Sequence, residues 1–118
     1  MKYMLLMYWD QTAPPNLTPE VSEALKPEVW FALERDMKTA GVFVANNGLS
    51  PVTNSTTLRI REGQTLITDG PFAETHEQLG GFYLLNCKDL DEALAWAKKI
   101  PSAKYGSIEI RPLWSAQA

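Results

Sequence analysis

Tyr3-Met4-Leu5-Leu6-Met7-Tyr8-Trp9 is apolar at every position. A strand with one wet face alternates apolar and polar residues, so this unbroken run predicts a strand covered on both sides and central in its sheet. Gly80-Gly81-Phe82-Tyr83-Leu84-Leu85-Asn86-Cys87 has the same character and is expected beside it. A run of seven residues falls far short of the roughly 20 needed to span a bilayer. Lys2 ahead of it imitates a short signal peptide, but Asp10 interrupts the run and no small-residue cleavage site follows.

Outward from the first strand, Pro14 and Pro15 mark a loop, after which Thr18 offers a helix cap with Pro19 at the first helical position. Val21, Leu25, Val29, Leu33 and Met37 then recur every four residues, an amphipathic helical stripe. Pro27 interrupts it, which predicts either a kink or a short helix followed by a longer one over residues 27–40. Gly41 suits the C-terminal cap.

Residues 42–47 read as a second strand. Residues 56–61 and 65–69 flank Glu62-Gly63 as a hairpin, and its polar side chains suggest an exposed or pocket-lining position. Asp89 to Glu92 resembles a capping box for a second helix with Leu90, Ala93, Leu94, Ala97 and Ile100 inward, and residues 107–114 form a last strand.

The order is β-α-β, hairpin, β-α-β. Right-handed crossings place both helices on one face of a mostly antiparallel sheet, an α+β, ferredoxin-like fold filling residues 1–118 as a single domain. The other face would then stay open although both central strands are apolar in both directions, a surface that invites association. The expectation is a homodimer whose sheets pack face to face around a pocket.

The whole chain of 118 residues is 45% hydrophobic and 21% charged, as in globular proteins and unlike disordered ones. Its 11 basic and 14 acidic residues give a net charge of −3 with no positive stripe, so neither nucleic acid nor membrane is an expected partner. A single cysteine, Cys87, cannot form an internal disulfide and suits a reducing cytoplasm. In its apolar strand it reads as a small buried hydrophobe.

Residues 69–77 gather Asp69, Glu74, Glu77 and the only histidine, His76, in a loop that begins where a strand ends. Such loops commonly carry chemistry. One imidazole among carboxylates has no established metal-ligand spacing, so no metal site is expected. Gly80-Gly81 precedes a strand, whereas phosphate loops open a helix, so no nucleotide or redox cofactor is expected.

The stretch TDGPFAETHEQLGGFY, residues 68–83, closely resembles the signature of the DGPF subgroup of the YCII-related family. The likeness continues in KYMLLMY, AGVFVANNGLSP, LDEALAWAKKIP and GSIEIRPL, in that order along nearly the whole chain. This resemblance implies a dimeric α/β barrel. It also implies small-molecule chemistry of a lyase or dehalogenase kind resting on a paired histidine and aspartate, while the subgroup's link to sigma-factor genes suggests instead a binding or dimerisation module in transcription regulation. The family histidine lies on the first helix, and residues 20–40 contain none here.

Asp69, the motif's own aspartate, is the expected general base or acid, and His76 the complementary proton carrier, oriented by Glu74 or Glu77. Arg59 is placed to hold a small organic acid, with Trp9 or Phe72 as an aromatic wall and Glu74 beside them.

Overall fold

The computed structural model describes residues 1–115. The chain runs through β1 (Lys2–Trp9), α1 (Pro19–Ala24), α2 (Pro27–Thr39), β2 (Phe43–Gly48), β3 (Thr56–Arg61), β4 (Gln64–Asp69), β5 (Gln78–Asn86), α3 (Leu90–Ala97) and β6 (Ser107–Pro112). Short 3-10 turns lie at Val52–Asn54 and Pro101–Lys104. β2, β5, β1 and β6 form one sheet in that order, every pair antiparallel, and β3 and β4 form a separate two-stranded sheet. This α+β arrangement is compatible with a ferredoxin-like fold, and the two apolar runs are its central strands.

Register decides which side chains share a face. Leu5 lies opposite Tyr83 on one side and Ile110 on the other, and Tyr3, Leu5, Met7, Tyr83 and Leu85 are buried together against Leu33 and Met37 of α2 and Ala93 and Ala97 of α3. Leu5 and Leu85 are wholly buried; such a side chain contributes roughly 1.5–3 kcal/mol. Met4, Leu6, Tyr8, Phe82 and Leu84 occupy the opposite face and stay half-exposed, with Glu109 and Arg111 alongside. The helices thus cover one side of the apolar strands, and among the described residues the other side stays half-exposed.

Of the two readings of Pro27, the short helix followed by a longer one holds: among the described residues α1 ends before Pro27 and α2 starts on it. Thr18 caps α1 by accepting from the Val21 amide at 3.2 Å. The break leaves the Ala24 carbonyl without the amide a continuous helix would offer, and the Trp30 indole N–H donates to it at 3.1 Å. The break also turns Leu25 out to solvent, while Val21, Leu33 and Met37 remain buried. In α3, Asp89 accepts from the Glu92 amide at 2.9 Å. Leu90 and Leu94, expected inward, are exposed, because the small residues Ala93 and Ala97 make the helix's contact face.

β5 begins at Gln78, two residues before the apolar run, and a bulge sets Met7 opposite Gly81 but Tyr8 opposite Leu79. Gly80 is the extra residue. A Cβ there would overlap the six-membered ring of the Trp9 indole, which packs on the helix side and meets Tyr105 edge-on with ring centres 6.4 Å apart.

The β3–β4 hairpin closes through Glu62 (φ 52°) and Gly63 (φ 77°), the paired left-handed conformations that match the strands' twist. It stands out from the body as an arm. The Cα extents are 48 × 44 × 19 Å, and the radius of gyration of 16.5 Å exceeds the roughly 13.5 Å of a compact chain this long.

Gly80→Ala should lower the unfolding free energy by ~1–3 kcal/mol, since Trp9 must leave its seat. Urea denaturation followed by tryptophan fluorescence measures it, and an unchanged midpoint would contradict the packing described.

Candidate functional site

Where the arm joins the sheet, a groove of about 680 Å³ opens. Leu49, Pro51, Val52, Pro71, Phe72 and Leu79 give it apolar walls, and Tyr8, Thr75, Glu77 and Gln78 bring polar atoms to it. Tyr8 and Leu79 are paired residues of the open sheet face, so groove and face form one continuous surface.

Gln78 holds the groove's two rims together. Its buried side chain accepts from the Gln11 amide at 2.7 Å and donates to the Thr75 carbonyl at 2.6 Å. Gln11 in turn accepts from the Val52 amide at 3.0 Å. Three loops are thereby joined through two glutamines. Glu77 accepts from the Ser107 hydroxyl at 2.7 Å, and the Thr75 hydroxyl donates to the Glu77 carbonyl at 2.6 Å. A buried amide side chain with both ends satisfied is costly to remove, which makes this network a rigid frame.

Hydrogen bonds at the arm's base shape the opposite rim. The Gly70 amide donates to the Ser55 carbonyl at 2.7 Å, and the Thr57 hydroxyl to the Gly70 carbonyl at 2.8 Å. Gly70 has φ 95°, a conformation that glycine adopts without penalty. Arg59 donates to the Phe72 carbonyl at 3.1 Å, so its guanidinium braces the loop.

The residues expected to act together do not all line the groove. Asp69 lies exposed at the end of β4, and among the described residues no hydrogen bond or ion pair engages its carboxylate. His76 and Glu74 are exposed in the following loop, and none of the three lines the groove. His76 lies near another carboxylate, Asp10. Asp10 is held below the usual aspartate value first by the Thr12 hydroxyl and amide, at 2.6 and 2.8 Å, with the nearby His76 charge adding a smaller effect. Phe72 does stand on the groove wall, 75% exposed. Trp9 lines a different cavity of about 500 Å³ on the helix side, with Asp10 and Tyr105.

Tyr8, Thr75, Gln78 and Gln11 were not singled out from the sequence. Gln78 carried one signal: a polar residue immediately before an apolar run has to be satisfied if the strand extends through it.

A family model described as the YCII-related domain matches residues 1–117. The chain belongs to the YCII-related family. An uncharacterised protein of Rhizobium meliloti (strain 1021) is 41% identical over 115 residues, spanning 96% of this chain and 92% of that one.

In this YCII-related chain Cys87 is buried and its thiol is pushed up first by burial, with the Glu92 charge adding to it, so it is an inert core residue. Among the described residues no helix is long and apolar enough to cross a membrane, and no three His, Cys, Asp or Glu side chains gather as a metal site.

Two measurements check the frame. Gln78→Ala should cost ~1–3 kcal/mol in stability and speed amide exchange over residues 70–77, because a buried amide and a carbonyl lose their partners. Asp10 should titrate below an ordinary aspartate by NMR and move back up in Thr12→Ala. Since its folded value is depressed, the stability it contributes is present above the ordinary aspartate range and is lost as pH falls through the folded value.

Proposed function

We propose that this YCII-related protein is a homodimeric small-molecule-binding module in which two open sheet faces pack together and close the groove beside them. One observation carries the reading: the groove's inner wall, Tyr8 and Leu79, belongs to the same half-exposed apolar surface as Met4, Leu6, Phe82 and Leu84. Covering that surface also encloses the groove. The accessible area agrees, since 8285 Å² is about 1,900 Å² more than a compact chain of this mass exposes.

The lining favours an uncharged aromatic or hydroxylated ligand. Its walls are apolar and its acceptors include the Glu77 carboxylate, whereas no lysine or arginine is part of it. A phenol fits these terms better than a small organic acid, which would depend on Arg59 leaving the Phe72 carbonyl. Binding is placed ahead of lyase- or dehalogenase-like acid/base catalysis because neither Asp69 nor His76 lines the groove. The TDGPFAETHEQLGGFY stretch further supports membership of the DGPF subgroup.

Sedimentation at micromolar concentration should give a species of twice the 13.2 kDa chain mass. In a thermal-shift panel of phenols and small carboxylates, a phenol at about 100 times its Kd should add ~2.7 kcal/mol, and Leu79→Arg should abolish the shift. A monomer, or a panel without any shift, overturns the proposal. A shift by carboxylates alone, lost in Arg59→Ala, would favour the organic-acid ligand instead.

A further inference from the structure

We propose that the β3–β4 arm is a clasp: its apolar face docks on a second copy of this chain, so that each protomer of the dimer embraces the other. The inference rests on the dimeric reading above and adds a second contact to it.

The arm's register sorts its side chains. Leu58 lies directly opposite Ile67, and Ile60, two residues along β3, shares their face; these three are 58%, 66% and 61% exposed. Arg59, Arg61, Gln64, Thr57 and Thr68 occupy the opposite face with Leu66. A two-stranded ribbon is marginal in water unless a third element covers its apolar side. Here the turn is formed and the base is pinned through Ser55, Thr57 and Arg59, yet no residue of β3 or β4 is buried. The arm is aimed and uncovered.

Three features select a second copy as the occupant. The excess area of about 1,900 Å² per chain falls in the range that obligate dimers bury, roughly 1,000–2,500 Å² on each side. The arm springs from the groove rim that borders the open sheet face, and its own chain does not fold it back onto that face. A second copy related by a two-fold axis offers the same half-exposed stripe to each arm, a contact that closes on itself. Finally, Arg59 and Arg61 are balanced by Glu62 and Asp69, so the arm is neutral. A neutral arm meets no charge repulsion from a second chain of net charge −3 and lacks the positive excess that anionic membranes or nucleic acids attract.

The test replaces the three apolar residues together, Leu58→Thr, Ile60→Thr and Ile67→Thr, which keeps β-branched residues in the strands and leaves the main core intact. Sedimentation should show dimerisation weakened at least tenfold, and amide exchange over residues 58–67 should be slow in wild-type dimer and fast after dilution. A wild-type dimer whose variant associates equally tightly, or whose arm amides exchange freely, overturns the clasp and leaves the face-to-face dimer standing. Wild-type monomer removes both. Leu6→Arg, on the sheet face, should dissociate the dimer whether or not the arm contributes, which separates the two contacts.

Discussion

The pairing of β1 with β5 is the constraint from which the rest of the molecule follows. Both strands are apolar in both directions, and their antiparallel register puts Leu5 against Tyr83 on one face and Leu6 against Phe82 on the other. Two helical layers would be needed to dry both faces, and the described residues supply one. α2 and α3 bury Tyr3, Leu5, Met7 and Leu85, while Met4, Leu6 and Leu84 are left half-exposed. Since burial of apolar area is the main favourable term in folding and in association, the same strand pair drives the first and prepares the second.

The groove inherits its place from an irregularity in that pairing. A bulge at Gly80 lets Trp9 fold across the backbone and shifts the register so that Tyr8 meets Leu79 at the sheet's end. From there Gln78 reaches both neighbouring loops, and Gln11 extends the network to Val52. The walls are therefore fixed by hydrogen bonds to backbone. Such a prearranged, mostly apolar concavity with a few polar groups suits the recognition of a small molecule.

Much of this was legible in local patterns. The two apolar runs marked the central strands, Thr18 and Asp89 marked helix starts, and Glu62-Gly63 marked the arm's turn, because each of these depends on neighbours within a few residues. Side-chain direction was less legible. Leu90 and Leu94 fit the helical spacing of a buried stripe, but α3 approaches the sheet through its alanines. Trp9 was expected as an aromatic wall of the site, yet strand alternation places it with Tyr3, Leu5 and Met7 under the helices. Closeness in sequence likewise did not bring Asp69 or His76 to the groove: six residues of turn and loop stand between them, and both are exposed.

By itself the sequence determined the order of elements, the centrality of β1 and β5, and membership of the YCII-related family, because periodicity, caps and turn residues act over short range. Only the tertiary structure decided which residues surround the groove, that Gln78 holds its rims, and that β3 and β4 leave the body as a separate arm. Those outcomes depend on strand register and on loops meeting across the fold, where a shift of one residue sends a side chain to the opposite face.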